Sequence, residues 1–349
     1  MPASSLAARV SLPFALSKRA KAPVSRRSAS VRASAALNHK GRTALTGILR
    51  VPQEKESEVD AMWRSHEVMM QKTHKVYDGE LEDDFTDGPR LLEFYVSKAV
   101  EKTNPLDPAS PDSGHILYCV NEKYVAPEGL AEHMRVGAEQ WDQFPKLMEF
   151  IRDYSPFMTT NGEIFTNYVD RAPACTARKG DTTINLGFVV PQSMERTVDA
   201  LWKSHEEFMR ETHDFGEGPT NDPTRPRLTQ FTITKARELV NPMDPTEGFT
   251  GNLQYSMQET YASKDGIAKH MAFNDPKSGY AALFEALMPL LEEPYVRYAD
   301  VGQGVVITSM QKGGFNSNIV GGFKELLDKV LPRRAPHEEY CEEYCPETW

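Results

Sequence analysis

The chain has 349 residues, 40% hydrophobic and 26% charged, with 40 Lys and Arg against 50 Asp and Glu. That acidic balance argues against nucleic acid or an anionic membrane as the main partner, since both call for a basic footprint. No apolar stretch is long enough to span a bilayer.

Residues 1–33 read as a transit peptide. Met1–Arg32 holds seven Lys or Arg, many Ser and Ala, and no Asp or Glu. This is the composition of an organelle-targeting segment, with a plastid expected and a mitochondrion as the alternative. Without it, 33 basic residues face 50 acidic ones.

The rest of the chain is written twice. W-R-S-H-E-V-M-M-Q-K-T-H (Trp63–His74) returns as W-K-S-H-E-E-F-M-R-E-T-H (Trp202–His213). N-E-K-Y-V-A-P-E-G-L-A-E-H-M (Asn121–Met134) returns as Q-E-T-Y-A-S-K-D-G-I-A-K-H-M (Gln258–Met271), at an offset of 137 to 139 residues throughout. Two similar domains are therefore expected, at 45–168 and 184–310, joined by a linker at 169–183. Residues 311–349 are expected to hold a C-terminal helix (Asn318–Val330) and an acidic tail carrying Cys341 and Cys345.

In the first domain, Leu45–Val51 is β-branched and apolar and ends at Pro52. Helical spacing follows over Glu54–Lys75. Leu91–Lys98 and His115–Tyr124 read as strands, and Lys98 with the Asn104–Pro108 segment reads as turn chemistry. Pro127–Tyr154 is helical with a break near Gly137, and Gly162–Tyr168 is the last strand. The second domain repeats the plan at Ile184–Val190, Met194–Thr212, Leu228–Lys235, Leu253–Tyr261, Lys264–Leu291 (broken near Pro276–Gly279) and Gly302–Met310. A β-α-β-β-α-β order is the ferredoxin-like split, α+β in class, with both helices on one face of an antiparallel sheet. The bare face needs a cover, so the two repeats are expected to pack sheet to sheet as an α+β barrel closed within one chain, an intramolecular pseudo-dimer.

At 100° per residue, Val59, Met62, Trp63, His66, Met69, Met70, Thr73 and His74 share an arc of roughly 140° on the first helix. Trp202, His205, Phe208, Met209, Thr212 and His213 repeat that arc. His66 and His205 thus sit centrally on an apolar face, where an imidazole needs a polar partner. Two readings follow: a core histidine satisfied by the backbone or a Tyr, or a pocket base. His133 and His270 follow the third strand early on the next helix, with Glu122 and Tyr124 (Glu259 and Tyr261) alternating on one strand face. His74 and His213 read equally as helix caps. No Gly-rich phosphate loop or nucleophile elbow is present, and Met70 stands where a zincin needs its second His, so no metal site is expected. Cys119 reads as a core thiol, and Cys175 falls in the linker.

The repeated strand-to-helix blocks resemble the antibiotic-biosynthesis monooxygenase family of the dimeric α+β barrel superfamily. The resemblance implies a pocket between sheet and helices that takes a small hydrophobic molecule, with His133 and His270 on its wall beside Tyr124 and Tyr261. It implies a cofactor-independent oxygenase for an aromatic, a quinol or a tetrapyrrole; the alternatives are a carrier of a hydrophobic metabolite without turnover and an assembly partner that uses the acidic surface and the C-terminal helix. Under the first alternative His66, His205, His133 and His270 carry proton transfer. Trp63, Met70, His74, Trp141, Trp202, Met209, His213 and Tyr280 would then line the substrate with the two tyrosines. Heme-degrading relatives expect a further histidine where Gln143 and Tyr280 stand, and an Asn on the first strand where only Asn185 answers, opposite Thr46 and Gly47. A heme contact through His66 or His205 is the one cofactor left open.

Overall fold

In the computed structural model, residues 40–77, 88–167, 177–215 and 222–310 are described. The expected transit segment, Tyr168, Cys175, the helix expected at 318–330, Cys341 and Cys345 lie outside them. No helix among the described residues is long and apolar enough to cross a membrane.

Strand β1 (Thr43–Pro52) is buried at every position except Arg50 and Pro52, as its continuous apolar run requires of a strand covered on both faces. Past Pro52, one 3₁₀ turn leads into α1 (Glu56–Thr73), whose acidic first turn suits the positive end of the helix dipole. Then come β2 (Lys75–Val76), β3 (Arg90–Lys102), β4 (Asp112–Tyr124), α2 (Pro127–Gln140), α3 (Phe144–Tyr154) and β5 (Phe157–Asn167). The second half has β6 (Thr182–Pro191), α4 (Glu195–Thr212), β7 (Asp214–Phe215), β8 (Arg227–Leu239), β9 (Phe249–Tyr261), α5 (Lys264–Met271), α6 (Ala281–Leu287) and β10 (Val296–Ser309).

Each half pairs its long strands in the same order, β5-β1-β4-β3 and β10-β6-β9-β8. The registers correspond: Thr43 faces Tyr124 and Thr182 faces Tyr261. The last strand of each half then pairs antiparallel with the second long strand of the other, β5 with β8 and β10 with β3. The result is an α+β barrel closed within one chain, with β2 and β7 as short parallel additions.

Four local expectations are corrected. Helix α2 runs through Gly137 to Gln140, and the break falls after it. A Cβ at residue 137 would come within 3.1 Å of the Phe144 ring, so glycine is there for packing. Lys98 belongs to no turn. Its Nζ lies 2.8 Å from both Glu56 and Asp60, holding α1 to the sheet, as Lys235 holds α4 through Glu195 (2.6 Å) and Asp199 (3.0 Å). Gly302 does not start the last strand, because at φ +75° it lies in a register shift inside β10, a bulge. The supposed linker ends early: Asp181 is already buried and accepts hydrogen bonds from the Thr229 hydroxyl and the Arg178 N–H.

The barrel lumen holds a polar network. Lys123, 1% exposed, donates to Glu93 (2.7 Å) and to Thr232 of the other half (3.0 Å). Gln258 donates to Thr46 (3.0 Å), and Asn185 to Ser97 (3.1 Å). The Cys119 thiol sits here too, pushed up to about 12 by burial. Asn185 therefore occupies the lumen and not the space under the helices, so it cannot play the part expected of a first-strand Asn in a helix-side pocket. Gly187 is required beside it: a Cβ there would stand 2.1 Å from the Tyr298 ring.

Asp300 closes this network, accepting from the Thr183 hydroxyl (2.6 Å) and the Gln303 N–H (3.1 Å). Burial pushes its carboxyl up to about 6 from an ordinary 3.8. A raised acid makes the fold lose stability as pH rises through that window, with the full penalty above about pH 6. The stability of Asp300→Asn relative to the parent should therefore grow by on the order of 2–3 kcal/mol between about pH 4 and pH 6.5 and then stay level. Urea melts across that range check it; a difference independent of pH would show that Asp300 keeps its charge inside the barrel.

Candidate functional site

The site lies outside the lumen, between the helices and the outer face of the first half's sheet. Alternation along β4 sends Glu122 and Tyr124 to this face, and the apolar arc of α1 presents Trp63, His66 and Met69 to it. Helices α2 and α3 close the top with His133, Met134, Trp141, Phe144 and Ile151. The result is a narrow slot with a cavity volume of only about 30 Å3, so a ring enters it only when the lining side chains move. Its floor includes Gly47, where a Cβ would press 2.8 Å from the Met158 sulfur. Several methionines line it, soft side chains that can move to admit a ligand. Met134 also lines an outer groove with Arg42 and Thr160.

One end of this apolar slot is polar. His66 Nε2 stands 3.7 Å from Glu122 Oε1, and His133 Nε2 stands 3.4 Å from Glu122 Oε2. The first contact is no ion pair, because burial holds the His66 imidazole well below its ordinary 6.5 and the His133 ring lowers it further. Trp141 donates to Ser65 Oγ (2.9 Å), which fixes its ring against His66 with centroids 4.9 Å apart. Tyr124 donates to Glu122 Oε2 (2.5 Å); burial, followed by that carboxylate, pushes the phenol well above its ordinary range.

Proton accounting orients the cluster. The Thr73 hydroxyl lies 2.8 Å from the Met69 carbonyl and 2.8 Å from His74 Nδ1. A carbonyl can only accept, so both contacts are satisfied together only if Thr73 donates to it and accepts from His74 Nδ1–H. His74 Nε2 is then an acceptor, and the 3.0 Å contact to His133 makes His133 Nδ1 the donor. His133 Nε2 then faces Glu122 Oε2 at 3.4 Å. His74 stays neutral throughout, since burial, then His133 and His66, bring it down to about 2.

The second half repeats the residues but not the slot. His205 Nε2 lies 3.7 Å from Glu259 Oε1, and His213 Nε2 lies 3.0 Å from His270 Nδ1. Burial brings His205 and His270 down to about 3, with His205 adding to the effect on His270, and pushes Glu259 up to about 8. His213 is lowered as well, by burial first and then chiefly by His270. Phe208 takes the place of Met69 and packs against His205, His213, His270, Phe273, Tyr280 and Phe284, all with centroids under 6 Å. The ring takes the position at which Met69 lines the first-half slot.

Of the residues singled out in the sequence, His66, His133, Trp63 and Trp141 line the slot. His74 and Tyr124 stand behind it, bonded to His133 and Glu122. Met70 is buried in the core, with Met69 at the lining position instead. Trp202, His205, Met209, His213, Tyr261 and His270 are buried in the second half, and Tyr280 donates to Glu211 (3.0 Å) at its edge. Glu122, read only as a companion, is the center of the cluster. Its position two residues before Tyr124 was the available signal. Phe144 and Met158 carried none, because a lining made by segments remote in sequence has no period to read.

The difference between halves has an energetic signature. Phe208→Ala removes a ring from a filled core and should cost about 3–5 kcal/mol, whereas Met69→Ala, beside existing empty space, should fall near the low end of about 2–5. Denaturant melts of the two variants measure this, and equal costs would mean that the slot is closed in solution.

No family model matches the chain, and no curated protein matches it. Among solved structures, it is similar to a Fusobacterium nucleatum protein described as "Putative monooxygenase", with 10% identity, a TM-score of 0.40, and coverage of 78% of this chain and 97% of that one. A likeness that distant assigns no activity.

Proposed function

We propose that the first-half slot is the active site of an O2-dependent monooxygenase for a small, flat, hydrophobic aromatic or quinol. The observation that carries this reading is an apolar slot whose only strongly polar end is the His66–Glu122–His133 cluster. Such a pocket holds a ring by contact and fixes its orientation by one polar group. The hydroxyl or enol of the substrate would face the cluster and lose its proton there. Trp63 and Trp141 flank the ring. The resulting anion is electron-rich enough to react with O2. For an activated methylene, one oxygen atom ends as the new carbonyl. The other leaves as water with the two methylene hydrogens, and the substrate supplies all four electrons. The surrounding apolar side chains exclude bulk water from that anion.

The oxygenase reading is tested by oxygen uptake with a panel of naphthols, anthrones and quinols. Glu122→Gln should remain folded and lose at least about 100-fold in kcat, the scale of positioned acid–base catalysis. Consumption of O2 at the parent rate by that variant would sink the reading.

The site of binding is tested separately. 1-Naphthol should quench the fluorescence of Trp63 and Trp141 in the parent. Met69→Phe should abolish that quenching while leaving the fold intact, because it copies the ring that fills the second half. Quenching unchanged by Met69→Phe would place the ligand elsewhere.

A further inference from the structure

We propose that Nε2 of His66, Nε2 of His133 and the carboxylate of Glu122 bind one divalent first-row transition-metal ion at the polar end of the slot. These atoms belong to one of two clusters of metal-ligating side chains among the described residues, and all three side chains are buried. Three features point to a cation.

The first is spacing. Ligand atoms about 2.0–2.2 Å from a tetrahedral or octahedral ion lie about 3–3.5 Å from one another. The contacts here are 3.4 and 3.7 Å, close to the edges of a coordination polyhedron.

The second is the direction of the protons. With His133 Nδ1–H committed to His74 Nε2 at 3.0 Å, its Nε2 is the nitrogen that faces Glu122 Oε2 and is placed to bind a cation there. His66 is 2% exposed, and neither of its ring nitrogens has a hydrogen-bond partner among the described residues. A buried carboxylate facing two imidazole nitrogens is costly unless positive charge lies between them, and one ion would meet all three groups at once.

The third is the outer support. A metal-bound His usually gives its other N–H to an acceptor, and a bound carboxylate usually accepts further hydrogen bonds. His74 performs the first task and the Tyr124 hydroxyl the second, at 2.5 Å.

Two imidazoles and one carboxylate suit iron(II), cobalt(II) or zinc(II) better than magnesium or calcium, which prefer all-oxygen sites. The remaining coordination positions open into the slot, where a phenolate or O2 could reach them. At the second cluster, Phe208 packs against His205 and His270. The placement of substrate next to the ion rests on the monooxygenase reading above, whereas the binding of the ion does not.

Cobalt(II) is the probe, added to the metal-free full chain and followed by its visible d–d bands, with 1-naphthol quenching measured in parallel. The parent should saturate with bands typical of nitrogen and oxygen ligands. Glu122→Gln should bind at least about 100-fold more weakly, more than the 10–100-fold expected of an outer-shell change. Glu259→Gln should bind like the parent. Absence of saturable bands in the parent, or equal binding by Glu122→Gln, overturns the proposal. If Glu122→Gln fails to fold, His133→Gln and the parent titration decide by the same criteria. Naphthol quenching without cobalt binding would overturn the metal and leave the slot with direct proton transfer. Cobalt binding without quenching would support the metal and remove the aromatic substrate.

Discussion

Everything in this protein is arranged around the two cross-pairings that close the barrel, β5 with β8 and β10 with β3. An open four-stranded half would leave two long edges of unpaired N–H and C=O groups, an invitation to association. Closing each edge on the other half seals a lumen that holds Thr, Ser, Asn and Gln side chains, Asp300 and one Lys–Glu pair beside an apolar cluster that includes Ile48, Leu117, Phe157 and Tyr298. The polar groups are costly to bury singly, but together they satisfy one another. Since the lumen is spent on joining the halves, the apolar slot lies on the other face of the sheet, under the helices.

On that face, one position separates a slot from a plug. Met69 leaves the first half open, and Phe208 fills the second. The polar residues behind them are the same in both halves, down to the Thr–His–His relay, so the chemistry is present twice and access once. A buried ring surrounded by six aromatic neighbors also makes the second half the more tightly packed support. The first half, with methionines on its walls, retains the freedom that admission of a ligand requires.

Much of the fold could be read from the chain because its signals are local and doubled. The Trp63–His74 block and its echo placed both first helices, and alternation at Glu122 and Tyr124 put those residues on the correct strand face. What could not be read depends on contacts between remote segments. Gly137 resembles a helix break, yet it serves the packing of Phe144, and Gly302 resembles a strand start, yet it is a bulge. Asn185 could be assigned to either sheet face until the sheet was curved into a barrel. The site was legible in its histidines but not in its walls. Met69 and Met70 both lie on the apolar arc, and only the angle at which α1 crosses the sheet decides which of them meets the slot.

The lumen also determines what the halves can be apart from each other. The first half contributes Lys123 and Glu93, while the corresponding positions of the second are the uncharged Thr260 and Gln230. Lys123 reaches Thr232 across the seam; at the matching position, the first half carries Tyr95. Two first halves joined as a symmetric pair would therefore enclose two ammonium groups and two carboxylates, with a bulky phenol where each lysine now finds a hydroxyl. The halves have become obligate complements, and the covalent connection between them supplies a fixed one-to-one stoichiometry that a mixture of separate halves would have to reach by sorting.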